Sequence, residues 1–275
     1  MRVRSQGVMP SLLSSSWFLV PKPNPQAKFR LFCFPYAGGT AEIYYSWVEE
    51  LPEDIELVAI QYPGHIQGAK DTLYKRLSLL INDLSEELSS SLEQKYAFFG
   101  HSMGALVAYE LARCIVAAGL RKPDHLFLSA RNPPHLPIVH PLMHKMTNSE
   151  FIQIMHAFNV IPAEVVNNQG LLQIILPILK ADFEMIETYQ YNPHNTVLDV
   201  PICTFAGVND NLAPPRNVAE WHKYTVKDFR EITFPEKHYF LLNKVVKKTL
   251  INYIVQYIRD NSLSRYAQYR DEREG

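Results

Sequence analysis

The chain has 275 residues, a formal net charge of −1, and 47% hydrophobic against 20% charged residues. That composition suits one large α/β domain with a sizeable buried core. The near-neutral balance gives no electrostatic case for nucleic acid or an anionic membrane surface, and no apolar run approaches the roughly 20 residues of a membrane span.

Residues 1–16 read as a flexible extension: Ser14, Ser15 and Ser16 break the apolar run after Arg2 and Arg4, and no A-x-A cleavage site follows. Pro21, Pro23 and Pro25 give an extended lead-in to the first core strand, residues 29–34. Pro35-Tyr-Ala-Gly-Gly39 ends that strand, and its glycine pair frees backbone N–H groups and lets a ligand come close. Thr40 is placed to cap a helix running to about Glu50. Residues 55–60 are the next strand, closed by Tyr62-Pro63-Gly64. Residues 72–92 are helical, with Leu73, Leu77, Leu80, Ile81, Leu84 and Leu88 on one face. Residues 96–99 form a short apolar strand, then come Gly100-His101-Ser102-Met103-Gly104 and a helix over 103–119 that Gly119 ends. Residues 125–129 are another strand.

The rhythm changes after Ala130. Residues 131–145 are rich in Pro and His, and three helical stretches follow at about 148–159, 162–168 and 170–190, with Pro177 expected to kink or break the third. This apolar block reads either as a helical lid with a greasy inner face or as ordinary core helices. The strand pattern resumes at 201–206, followed by a loop through Pro214, a helix to about Tyr224, a last strand at 229–234, and a last helix at 239–260. Residues 263–275 form a charged tail expected to fray. Strands alternating with helices imply a mostly parallel sheet covered on both faces. The three cysteines, Cys33, Cys114 and Cys203, lack C-x-x-C spacing and read as buried free thiols of a reducing cytosol.

The chemistry centres on Gly100-His101-Ser102-Met103-Gly104, a G-x-S-x-G nucleophile elbow in its required strand–turn–helix context. The elbow strains its serine, so the residues two before and two after must be small. A serine hydroxyl is a weak nucleophile and needs a general base, itself oriented by a carboxylate. In an α/β-hydrolase the chain order is Ser, then Asp or Glu, then His. Asp210 follows the strand ending at Ala206 and takes the acid role, whereas Asp199 falls before that strand, at the wrong edge. His238, in the loop after the last strand, is the base, since His222 lies in a helix. The oxyanion hole takes backbone N–H groups from Met103 and from the 35–39 loop, best Ala37. Tyr36, His101 and Phe240 are the candidates for substrate contact, and His65, His135, His140 and His144 for the mouth. The scattered histidines give no metal-ligand spacing, so no metal is assigned.

Phe34-Pro-Tyr-Ala-Gly-Gly39, Gln61-Tyr-Pro-Gly64, Gly100-His-Ser-Met-Gly-Ala105 with Tyr109-Glu-Leu-Ala112, Ser129-Ala-Arg131 with Pro133-Pro134, and His238-Tyr-Phe-Leu241 together resemble a type II thioesterase. These are stand-alone α/β-hydrolases that accompany nonribosomal peptide and polyketide synthases, and the resemblance covers residues 17–257. It implies a thioesterase domain over 17–262, with a lid at about 131–195, that hydrolyses acyl groups from the phosphopantetheine arm of carrier-protein domains. Ser102, Asp210 and His238 match the family's triad, and Ala37 and Met103 its oxyanion donors. Two places depart from the family's usual pattern: His65 stands where Arg often follows Tyr-Pro-Gly, and the acid loop reads Gly-Val-Asn-Asp. The implied enzyme is a cytoplasmic monomer. It has no cofactor of its own, and its partners are acyl or peptidyl carrier domains rather than nucleic acid or membrane. An oxygen-ester hydrolase, a medium-chain fatty acyl thioesterase, or an acyltransferase would use the same residues, and a non-catalytic scaffold would keep only the fold.

Overall fold

The computed structural model describes residue 12 and residues 15–65, 72–138, 140–192 and 197–271, with side chains as far as residue 260. The other residues of the N-terminal extension and the end of the tail lie outside the described residues. Seven strands form one sheet: β1 (Phe18–Leu19), β2 (Phe29–Phe34), β3 (Ile55–Ile60), β4 (Lys95–His101), β5 (His125–Ser129), β6 (Ile202–Gly207) and β7 (Phe229–Phe234). Their spatial order is β1-β3-β2-β4-β5-β6-β7. All neighbours pair in parallel except β1, which pairs antiparallel with β3 through Phe18 opposite Ile60. The chain steps from β2 outward to β3, then crosses back to place β4 on the other side of β2. Ligands of open parallel sheets bind at such a reversal, outside the carboxyl ends of the strands.

Strand residues alternate between two cores, as the pleat requires. Phe32, Phe34, Val58, Ile60, Tyr96 and Phe98 face helices α1 (Leu77–Ser89) and α2 (Met103–Ala117). Leu31, Cys33, Leu57, Ala97, Phe99 and Phe205 face the opposite layer, where Trp47 and α7 (Lys244–Asp271) pack. Helix α2 buries ten of its 15 residues, which holds the elbow rigidly against the sheet. The helices of the apolar block are α3 (Asn148–Ala157), α4 (Ala163–Val166) and α5 (Gln169–Glu187), and α6 (Pro215–Val218) follows β6. Phe151, Met155, Ile161, Leu179 and Met185 bury into the same core as α1 and α2.

Several local expectations are corrected. Thr40 caps nothing; the Ala41 N–H donates instead to the Gln61 side chain at 3.0 Å. The segment after it, Ala41–Glu49, is a 3-10 helix, whose buried Ala41, Tyr44 and Trp47 recur every third residue, the period of that helix. The helix expected from residue 72 begins at Leu77, because residues 72–76 are tied down outside it, with Tyr74 against the Trp17 ring and the Asp83 carboxylate. Pro177 does not break α5. Burial changes there instead: residues 169–177 are exposed or half-buried, while Ile178, Leu179, Ala181 and Asp182 are buried. The last helix begins at Lys244, after a short 3-10 turn, and takes in residues up to Asp271 that were expected to fray. Cys33 and Cys203 are buried free thiols, and Cys114 is half-buried and also free. No helix among the described residues is long and apolar enough to cross a membrane.

The Tyr44 hydroxyl donates to the Phe34 carbonyl at 2.7 Å, in full burial, just where β2 gives way to the glycine loop. Tyr44→Phe leaves that acceptor without its donor. Urea unfolding is expected to show a loss of about 1–2 kcal/mol.

Candidate active site

Three loops at the carboxyl ends of β4, β6 and β7 bring Ser102, Asp210 and His238 together. Ser102 sits between β4 and α2 with φ 54° and ψ −114°, a conformation costing about 1–3 kcal/mol that the surrounding packing must hold. The packing is close enough to exclude side chains on both sides of it. A Cβ at Gly100 would stand 2.1 Å from the Gly104 carbonyl oxygen, and one at Gly104 would stand 2.0 Å from the Phe34 carbonyl oxygen. The Ser102 N–H donates to the Ser129 carbonyl at 2.8 Å, which fixes the elbow to the end of β5.

The acid and base loops are joined by their main chains. Val208 N–H donates to the Phe234 carbonyl at 2.8 Å and Asn209 N–H to the Glu236 carbonyl at 2.9 Å. Gly207 permits this: a Cβ there would lie 2.6 Å from the Glu236 oxygen and 2.7 Å from that of Lys237. Asp210 is 3% exposed, and its Oδ1 accepts the N–H groups of Leu212 and Ala213 at 2.8 and 3.1 Å. Its Oδ2 is left for His238 Nδ1, at 2.7 Å. His238 Nε2 lies 3.0 Å from Ser102 Oγ. The carboxylate fixes the proton on Nδ1, so Nε2 presents its lone pair to the serine hydroxyl.

Met103 opens α2, so its N–H lies in the first turn without an intrahelical acceptor, at the positive end of the helix. In the loop after β2, Gly38 N–H is taken by Asp182 Oδ2 at 2.7 Å and Gly39 N–H by the Tyr36 carbonyl at 2.9 Å. The N–H of Ala37 takes no partner among the described residues.

The three residues expected at the substrate do not share one environment. Tyr36 is half-buried and its ring packs 5.1 Å from that of Tyr239. His101 is fully buried and Phe240 is 2% exposed, so neither has a face open to a ligand. Both belong to the wall beneath Ser102 and His238, with the His101 ring 5.4 Å from His238 and 5.3 Å from Phe240. Burial holds His101 well below the usual histidine range, and the charge of His238 adds to this. The histidines considered for the mouth are likewise engaged elsewhere. His65 is buried against Asp182, His135 pairs with Glu220 at 2.8 Å, and His144 and His140 lie 2.6 and 3.7 Å from Glu187. Asp182 itself, on α5 and hydrogen-bonded to the glycine loop, is the residue that sequence reasoning missed.

A family model described as "Thioesterase domain" matches residues 29–254. The gramicidin S biosynthesis protein GrsT of Aneurinibacillus migulanus is 34% identical over 89% of this chain and 94% of its own. A protein of Brevibacillus parabrevis named linear gramicidin dehydrogenase LgrE is 36% identical over 88% of this chain and 95% of its own. Among solved structures, the type II thioesterase BorB from the borrelidin biosynthetic cluster superposes with a TM-score of 0.78 at 29% identity, covering 88% of this chain and 98% of that one.

The Gly207 contacts generate a prediction. Gly207→Ala forces the base loop away from the acid loop, and a displacement of about 1 Å at reacting groups typically costs about 100-fold in rate. Labelling of Ser102 by a fluorophosphonate is expected to slow by at least about tenfold, with the fold retained by circular dichroism.

Proposed function

The chain belongs to the thioesterase family and is a hydrolase acting on thioesters; from that premise we propose that Ser102, His238 and Asp210 are its catalytic triad and that it clears acyl groups from the phosphopantetheine arm of carrier-protein domains. The observation that carries the reading is the continuous path from Ser102 Oγ through His238 to the buried Asp210, at 3.0 and 2.7 Å. His238 takes the Ser102 proton as the oxygen attacks the thioester carbonyl, and Asp210 stabilises the imidazolium. The oxyanion is held by the Ala37 and Met103 N–H groups. The carbon–sulfur bond breaks, the pantetheine thiol leaves with the proton from His238, and Ser102 carries the acyl group. Water, deprotonated by His238, attacks the ester and releases the free acid and the serine. The chemistry requires no metal and no cofactor of the enzyme's own, because the pantetheine arrives with the substrate.

Helices α3 and α4 and the half-buried part of α5 form the lid in this reading. Their apolar side chains, with Ile154, Leu172, Ile175 and Leu176 only partly buried, are suited to an acyl chain. Synthase carrier domains as partners are supported by the biosynthetic roles in the relatives' names. A cytoplasmic setting follows from that partnership. The G-x-G turn of the Rossmann dinucleotide-binding fingerprint does not occur in this sequence, since no two of its 11 glycines stand two residues apart.

The test is to incubate the protein and Ser102→Ala with acyl groups loaded on a carrier protein and follow free acid by mass spectrometry. Release by the native protein, reduced by at least about 1,000-fold in the variant, is the expected result. Turnover of simple oxygen esters with no release from any carrier would overturn the proposal.

A further inference from the structure

Behind the glycine loop lies a buried polar cluster that the triad does not use. Asp182 on α5 is 2% exposed and His65, in the turn after β3, is 6% exposed. Asp182 Oδ2 accepts the Gly38 N–H at 2.7 Å, and its Oδ1 lies 3.1 Å from His65 Nε2. His65 Nδ1 lies 3.0 Å from the Gly39 carbonyl oxygen. Leu179, one turn before Asp182 on the same face of α5, fills the space beside Gly38, where a Cβ would come within 2.5 Å of its Cδ2. Gly38 itself has φ +74°. The loop that offers the Ala37 N–H is thus gripped on one side by an apolar and a charged residue of α5 and on the other by His65.

The partners of His65 fix its protonation. A carbonyl oxygen and an ionised carboxylate only accept, so both ring nitrogens must donate, and only the imidazolium carries two N–H groups. Burial alone would push His65 below its ordinary value, but the charge and hydrogen bond of Asp182, with the bond to Gly39, raise it above. Among the described residues, the titratable groups facing it are Asp182 from α5 and Tyr62 from its own turn, at 5.4 Å between rings. Burial and the Asp182 charge push the Tyr62 hydroxyl well up, so it stays neutral beside the pair.

We infer that His65 and Asp182 are positioning residues for the oxyanion hole: together they clamp Gly38 and Gly39 so that the Ala37 N–H points where the oxyanion forms. This rests on the triad reading above. His65 holds its second proton below its raised pKa, and as pH rises through that value one of its two hydrogen bonds is lost and the clamp loosens. The rate therefore falls at alkaline pH as His65 deprotonates.

The experiment measures kcat and KM for a soluble acyl-pantetheine thioester across mildly acidic to alkaline pH, with melting temperature alongside, for the native protein, Asp182→Asn and His65→Gln. Loss of one oxyanion donor costs roughly 100- to 1,000-fold in kcat, so its misplacement is expected to cost about 10- to 100-fold, with KM changed by less than about threefold. The alkaline fall of the native protein is expected to vanish in both variants. Variants with lowered melting temperature but native kcat and a native alkaline limb would overturn the inference, leaving only a structural tie. If neither variant folds, the native profile decides, and a flat alkaline limb overturns it. Absence of thioester turnover by the native protein would count against the triad reading alone. In that case the pH dependence of Ser102 labelling by a fluorophosphonate, whose phosphonyl oxygen occupies the same hole, tests the clamp: an alkaline fall supports it and none overturns it.

Discussion

The close approach of Gly104 to the end of β2 sets the geometry of the whole catalytic edge. At Gly104 a Cβ would lie 2.0 Å from the Phe34 carbonyl oxygen, so the first turn of α2 runs directly against the segment that leads into the glycine loop. That contact brings the Met103 amide and the Ala37 amide to the same end of the sheet reversal between β2 and β4. It also forces the turn between Gly100 and Gly104 to be so tight that Ser102 takes φ 54°. The strain is local, and what offsets it is not. Ten buried residues of α2, each large apolar one contributing about 1.5–3 kcal/mol, anchor the helix that the strained serine begins. Tyr44, buried below, fixes the Phe34 carbonyl against which Gly104 packs.

Helix α5 has two jobs divided at Pro177. Before it the side chains are exposed or half-buried, and after it Ile178, Leu179, Ala181 and Asp182 are buried. Proline withdraws one intrahelical hydrogen bond, so the helix is weakest just where its burial changes. The anchored half reaches the glycine loop through Leu179 and Asp182, and the freer half belongs to the apolar cover. If the first half moves as the proposed lid, the glycine loop can stay in place, provided the second half stays docked.

The sequence was most legible where one residue type answers one steric or chemical demand. Two glycines flanking Gly100-His-Ser-Met-Gly104, a carboxylate after one strand and a histidine after the next can be read without coordinates, because topology puts strand ends at one edge. Legibility ended where the partner is distant or the local cue ambiguous. His65 and Asp182 are 117 positions apart and share no motif. In the sequence His65 stands out as a candidate for the mouth and Asp182 not at all, and only a helix returning over the glycine loop joins them. Thr40 looks like a helix cap, but its side chain takes no first-turn N–H, while the distant Gln61 side chain takes that of Ala41, and tertiary structure overrides the local signal. His101 lies in a variable slot of the elbow, yet strand alternation turns its side chain into the wall under Ser102 and His238. The antiparallel pairing of β1 was also missed, since Phe18–Leu19 is too short to show a period.

Three imidazoles lie around the site, two neutral and one charged, and in each case the neighbours decide which. His238 stands between a carboxylate, which demands a proton on Nδ1, and the Ser102 hydroxyl, and the proposed mechanism needs its Nε2 bare. His65 stands between two acceptors and must carry both protons. His101 meets the Ser129 hydroxyl at 2.9 Å, a partner able to donate or accept, and burial keeps it neutral. That neutrality has a use. The His101 ring lies 5.4 Å from His238, and in the proposed mechanism a second positive charge there would raise the cost of the His238 imidazolium. His65 can remain charged because Asp182 balances it, while the wall behind the base is kept free of charge.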